Sequence, residues 1–214
     1  VIMKRKCVVL GILIGLMAAS VFAADISLPA IVVGLPGKTV EVPISGTGDN
    51  IAGINFTVTY SPDLLSDPVV SLGDLAEGFT LESNTIKSGG AETGEVRGVI
   101  YPPSVPVGTF KSGEGVIAKI VFTVKADAAA CEMCDLILDI TQPEKFGVSN
   151  AAGESKTADY TVKNGKFQAT YKADFNLDGT VNLSDFTILL DGWGSPYDLT
   201  DFTNLLDDWE KVCK

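Results

Sequence analysis

The segment Ile54-Asn55-Phe56-Thr57-Val58-Thr59-Tyr60 alternates apolar and polar side chains without a break. A period of two puts Ile54, Phe56, Val58 and Tyr60 on one face and Gly53, Asn55, Thr57 and Thr59 on the other, which only a half-buried β-strand satisfies. The stretch from Lys38 to Ile44 alternates in the same way. Residues 116–124 are almost continuously apolar, as expected of a central strand covered on both faces. Turn signals punctuate these runs at residues 46–50, Gly89-Gly90, Pro102-Pro103, residues 113–115 and Asn164-Gly165. The last has the form of a two-residue hairpin turn. No long helical period interrupts the series up to about Tyr171, so the chain is expected to be mainly β, with residues 24–171 forming a β-sandwich.

Beyond that point the pattern changes. In Ala173-Asp174-Phe175-Asn176-Leu177-Asp178-Gly179-Thr180-Val181-Asn182-Leu183-Ser184-Asp185, oxygen-bearing side chains recur at the spacing of a calcium loop. With Asp174 as position 1, Asn176 falls at 3, Asp178 at 5, Gly179 at 6, Thr180 at 7, Asn182 at 9 and Asp185 at 12. Thr180 would contribute its backbone carbonyl, Asn182 would act through a water, and Asp185 would close the shell. One Ca2+ ion held by Asp174, Asn176, Asp178, Thr180, Asn182 and Asp185 is therefore expected.

The residues that follow are internally repeated. NLSDFTILLDGW and DLTDFTNLLDDW lie sixteen residues apart, and each reads as an amphipathic helix with Asn182 or Asp198 as its N-cap. Positions 1 to 5 of a second loop are missing, because residues 192–197 join the helices directly. Asp198 and Asp201 are thus expected to cap rather than to ligate, and the second repeat to bind no ion of its own.

At the other end, Lys4, Arg5 and Lys6 precede an apolar run over residues 7–19 and a small-residue site at residues 21–23. Residues 1–23 have the organisation of a signal peptide cut after Ala23, with a retained membrane anchor as the alternative. Removal of the leader takes three of 16 basic residues and none of 27 acidic ones, shifting the net charge from -11 to -14. So acidic a product disfavours nucleic acid and, once the leader is gone, anionic membranes as partners. It suits a secreted, extracellular setting rich in calcium. Outside the leader the cysteines are Cys131, Cys134 and Cys213, for which a local disulfide, a Cys213-linked disulfide and free thiols are all open. Zinc is disfavoured in a chain without histidine.

The C-terminal segment, residues 172–214, resembles a type I dockerin: its loop has aspartate at position 12, no entering helix precedes it, and the loop-plus-exit-helix unit is duplicated. The sandwich resembles a cohesin, a jelly-roll β-sandwich, through residues 37–44, 52–64 and 115–124. These resemblances imply a non-catalytic assembly module of a cellulosome-like, polysaccharide-degrading system. The sandwich would receive dockerin-bearing proteins through Gly53, Asn55 and Thr57, on the strand before the Tyr60-Ser61-Pro62-Asp63 turn. The C-terminal unit would engage cohesin-bearing proteins through the selectivity pairs Leu183-Ser184 and Leu199-Thr200. The alternative is a carbohydrate-binding sandwich carried by a dockerin, which calls for coplanar exposed aromatics on one sheet face. An enzyme is not expected: there is no histidine, no nucleophile elbow, and no carboxylate pair outside the loop that the sequence brings together.

Overall fold

A computed structural model describes residues 24–103 and 108–213 of the protein. The expected leader and its cleavage point at residues 1–23 lie outside them. No helix among the described residues is long and apolar enough to cross a membrane.

Among the described residues twelve strands run in chain order as β1 (Ala24–Ser27), β2 (Val32–Gly34), β3 (Thr39–Thr47), β4 (Gly53–Thr59), β5 (Leu65–Leu72), β6 (Thr80–Ser88), β7 (Ala91–Tyr101), β8 (Glu114–Val124), β9 (Met133–Leu138), β10 (Gly147–Ser149), β11 (Tyr160–Lys163) and β12 (Gly165–Ala169). Two helices, α1 (Leu183–Asp191) and α2 (Leu199–Asp208), follow. One sheet has the order β11-β1-β3-β8-β5; the other has the order β2-β12-β9-β4-β7-β6, with β10 also paired to β4.

The alternation seen in the sequence dictates how these sheets close on each other. Ile54, Phe56 and Val58 of β4 are buried together with Val40, Val42 and Ile44 of β3 and Ala118, Ile120, Phe122 and Val124 of β8 in one apolar cluster. Tyr60 and Phe122 meet edge to face across the sandwich, with ring centroids 4.9 Å apart. Burying these side chains between two sheets is the main source of stability for such a layer pair.

Two local expectations are corrected. Strand β8 is an interior strand of its sheet, between β3 and β5, and is covered on one face only: Lys119, Val121 and Thr123 are half-buried between fully buried neighbours. Of these outward residues Val121 is the apolar one, and with the buried Ile117, Ala118, Ile120, Phe122 and Val124 it makes the run read as almost continuously apolar. Asn164-Gly165 is not a hairpin turn, since β11 pairs in parallel with β1 while β12 pairs with β2 and β9 in the opposite sheet. The chain crosses between sheets here. Asn164 Oδ1 accepts the Leu138 amide at 3.0 Å, and a Cβ at position 165 would lie 2.0 Å from the Pro29 carbonyl oxygen. Glycine is needed there for close backbone approach.

Strand structure ends with β12. The C-terminal unit has its own small core of Ala173, Val181, Leu189 and Leu205, with Tyr171, Phe175, Phe186, Tyr197 and Phe202 packed around it. Of the apolar residues that recur at helical spacing, the structure buries Leu189 and Leu205 and leaves Leu183, Leu190, Leu199 and Leu206 exposed.

Candidate functional sites: a sheet-face groove and a carboxylate loop

Strand β4 presents its outward residues beside β10 on one side and β7 on the other. β10 covers only the Gly53–Asn55 end of the strand, and there a shallow groove of about 520 Å³ opens, lined by Gly53, Asn55, Val99, Tyr101, Ile140 and Phe146 among others. Val99, Tyr101 and Ile140 are exposed apolar residues along it. Asn55 stands at its edge and donates from Nδ2 to the Pro143 carbonyl at 3.1 Å. Gly53 and Asn55 are thus brought together on one surface, as the sequence predicts.

Thr57 is not part of that surface. Its side chain is completely buried, and its Oγ1 has no hydrogen-bond partner among the described residues. The register sets it opposite Arg97, and its carbonyl accepts the Asp139 amide at 2.9 Å. Period-two alternation places Thr57 on the outer face correctly, but alternation carries no information about what covers that face. Nearby, Lys145 bridges Asp139 at 2.6 Å and Glu95 at 3.4 Å, and Arg97 bonds Glu95 at 3.0 Å. Hydrogen bonds from Lys145, and then from the Thr141 hydroxyl and amide, hold the Asp139 carboxyl down at about 2. Arg97 likewise lowers Glu95. This charged group, absent from any sequence motif, borders the groove through Ile140 and Thr141.

The second site is the loop after β12. Asp174 and Asp185 are both fully buried. Asp174 Oδ1 accepts from the Asp178 amide at 3.1 Å and Oδ2 from the Gly179 amide at 2.9 Å, with the Thr170 hydroxyl as a further donor to Oδ2. Asp185 Oδ1 accepts from the Asn176 amide at 3.2 Å and Oδ2 from the Asn182 amide at 2.9 Å. Gly179, at φ 83°, permits the turn that brings these amides round. Among the described residues neither buried carboxylate pairs with a lysine or arginine. Two buried negative charges compensated only by amides and a hydroxyl are costly, and a divalent cation is the group that such an oxygen set suits.

The fit is not complete as it stands. No three His, Cys, Asp or Glu side chains among the described residues gather around one point. Asp178 is engaged instead by the Asn176 side chain at 2.9 Å and the Thr180 amide at 2.8 Å, and Asn182 Oδ1 caps α1 through the Ser184 amide at 2.7 Å. Asp174 and Asp185 are the two buried carboxylates of the loop, and Asn176, Asp178, Thr180 and Asn182 lie in the same loop.

The second repeat keeps the helix cap and lacks the loop. Asp198 Oδ1 accepts from the Thr200 amide at 2.7 Å and the Asp201 amide at 3.4 Å, while Asp201 Oδ2 accepts the Asp198 amide at 2.9 Å. Backbone hydrogen bonding from Thr200 is the first cause of the lowered Asp198 carboxyl. Both aspartates are therefore capping groups, as their sequence context predicts. Leu183 and Leu199, at 66% and 70% exposure, project to solvent at equivalent positions of the two helices, beside Ser184 and Thr200.

One covalent feature was open in the sequence. Cys131 and Cys213 form a disulfide, whereas Cys134 is a half-buried free thiol that burial pushes up.

Comparison with known proteins bears on the sandwich. The family model for the cohesin domain matches residues 27–138, more than half of the 214-residue chain. No curated protein matches the chain. Similar solved structures include the cohesin–dockerin complex of type I from Clostridium thermocellum, with a TM-score of 0.57 at 17% identity over 69% of this chain and 99% of that one. The third cohesin ScaC of Acetivibrio cellulolyticus, solved with the ScaB dockerin, gives 0.55 at 18% identity over 69% and 99%. A Clostridium acetobutylicum cohesin determined in solution gives 0.53 at 21% identity over 71% and 93%. Together the strand order, the single core between two sheets and the match over residues 27–138 place this chain in the cohesin domain family.

Proposed function

We propose that the protein is a non-catalytic, secreted assembly module with two recognition ends. The sandwich receives a dockerin-bearing protein on the outer face of β10, β4 and β7, and the C-terminal unit, residues 172–214, is a dockerin-like plug for cohesin-bearing proteins. The observation that carries the first half is the groove beside Asn55: an exposed apolar strip on the sheet face of a cohesin sandwich, edged by polar backbone and side-chain groups. That combination of apolar centre and polar rim is what a protein interface requires. Solved structures of similar fold are complexes with dockerins.

The second half rests on the carboxylate loop and on the exposed pairs Leu183-Ser184 and Leu199-Thr200. Calcium, when bound, would supply the positive centre that Asp174 and Asp185 lack, with Asn176, Asp178, Thr180 and Asn182 completing the oxygen shell. One ion per chain follows from the missing second loop. By resemblance, the clients would belong to a cellulosome-like, polysaccharide-degrading system, and the module would act outside the cell.

Carbohydrate binding by the sandwich finds no support in the arrangement of its rings. Among its described residues Tyr101 is the one exposed aromatic, and both tryptophans lie in the C-terminal unit. A single ring gives no stacking platform.

The test is binding of a panel of type I dockerins to the immobilised chain, before and after Asn55→Lys. A lysine introduced into a desolvated contact without a counter-charge should weaken binding by about 2–5 kcal/mol. Binding unchanged by Asn55→Lys removes the groove from the interface. Retention on insoluble glycans, together with indifference to every dockerin, would replace this reading with the carbohydrate-binding one.

A further inference from the structure

After α2 the chain does not run off into solvent. Glu210, at φ 62°, turns it back, and residues 210–213 lie antiparallel against the middle of the carboxylate loop. Glu210 N donates to Val181 O at 2.9 Å, Val181 N to Lys211 O at 3.0 Å, and Cys213 N to Gly179 O at 2.8 Å, with Thr180 and Val212 bridged between them. The truncated second repeat has no loop to offer as a partner for this strand. The tail does the pairing.

The tail is in turn fastened to the sandwich. Cys213 is bonded to Cys131, 82 residues earlier, and Cys131 N donates to Ala169 O at 2.8 Å at the end of β12. One residue on, fully buried Thr170 joins the parts. Its amide donates to Gly34 O at 3.0 Å, its hydroxyl donates to Asp174 Oδ2, and its Oγ1 lies 3.9 Å from Cys213 Sγ. Disulfide, sandwich edge and first loop carboxylate meet at one side chain.

We propose that the disulfide-clasped tail, with Thr170, is the positioning element of the metal loop, so that the Cys131–Cys213 bond and calcium binding are thermodynamically linked. The inference rests on the calcium reading given above. With the bond intact, the backbone at Gly179–Val181 is held in place before the ion arrives, and the ordering cost of binding is already met. Reduction releases the tail, and the ion must then order the loop alone. Reduction by dithiothreitol transfers two electrons and two protons to Cys131 and Cys213, and the reagent leaves as its cyclic disulfide. Linkage is reciprocal: whatever factor the disulfide adds to calcium affinity, calcium adds to the resistance of the disulfide to reduction.

The experiment is calorimetric titration of the full chain with calcium, in a Cys134→Ala background that removes thiol exchange, in oxidised and dithiothreitol-reduced forms. The Cys131→Ser, Cys213→Ser double variant serves as a reduced form that cannot reoxidise. Reduced protein and double variant should bind calcium about tenfold or more weakly than the oxidised protein, and saturating calcium should lower the ratio of reduced to oxidised protein in a dithiothreitol redox buffer by the same factor. In oxidised protein, Thr170→Val should also weaken binding, and Thr170→Ser, which restores the hydroxyl, should recover it. Equal affinity in oxidised and reduced forms overturns the linkage while leaving the calcium site standing. No binding by either form overturns the calcium site and the linkage with it.

Discussion

The sandwich and the C-terminal unit of this protein are stabilised in opposite ways. Among the described residues the sandwich buries 28 hydrophobic side chains in one cluster, and the C-terminal unit buries four. Four buried side chains cannot offset the ordering of some forty residues, and short helices are marginal in water. The unit is instead closed by groups that act through connectivity and charge: a capping box on each helix, a disulfide to the sandwich, a strand-like tail, and a pair of buried carboxylates suited to an ion. A fold held by area tolerates changes of solution chemistry. One held by a bond, and by an ion if the proposed calcium binds, responds to them.

Substitutions can break this comparison, and the largest effect is expected in the sandwich. Phe56, at 1% exposure, sits in the middle of β4, and Phe56→Ala should cost about 3–5 kcal/mol. Chemical denaturation followed by far-ultraviolet circular dichroism measures it. Loss of less than about 1 kcal/mol, the range of ordinary surface changes, would show that the sandwich does not depend on this core as described.

Leu189→Ala probes the smaller core. Leu189 is fully buried in α1, and its loss should cost about 2–3 kcal/mol. Both tryptophans, Trp193 and Trp209, lie in this unit, so their emission reports on it separately from the strands. The tryptophan transition should move to lower denaturant while the circular dichroism of the sheets holds. Coincident movement of both signals would mean that the two regions unfold as one.

The smallest effect separates the repeats. Asp198→Ala removes the α2 cap and should cost about 1 kcal/mol. It should leave calcium stoichiometry at one per chain, because Asp198 is a cap. Asp174→Ala, at a loop position of the first repeat that the second repeat lacks, should abolish calcium binding. A change of stoichiometry with Asp198→Ala would show that the second repeat ligates after all.

How much of this was legible in the sequence follows from what each signal encodes. Period-two alternation placed Ile54, Phe56, Val58 and Tyr60 in the core correctly, since the strand geometry alone decides which side chains share a face. It put Thr57 on the outer face but gave no sign of its burial there; Arg97, opposite it in the register, stands 40 positions on and is paired with Glu95. The capping roles of Asp198 and Asp201 were readable because caps are local. The Cys131–Cys213 pairing was one of several open choices, as no spacing rule spans 82 residues. Asn164-Gly165 has hairpin-turn chemistry, but which sheet each flanking strand joins is set by distant partners, Ala24–Ser27 for β11 and Met133–Leu136 for β12. The role of Thr170 had no sequence signal: it lies outside the loop motif and acts through Asp174 Oδ2.

The contrast between the two regions is tested most directly by hydrogen exchange of the full, oxidised chain with calcium and with a chelator. The account predicts that chelation deprotects residues 173–212, above all the Asp178, Gly179 and Asn182 amides that donate to Asp174 and Asp185, while strands β3, β4 and β8 exchange as before. Identical exchange in both conditions, or loss of protection in the strands instead, would contradict it.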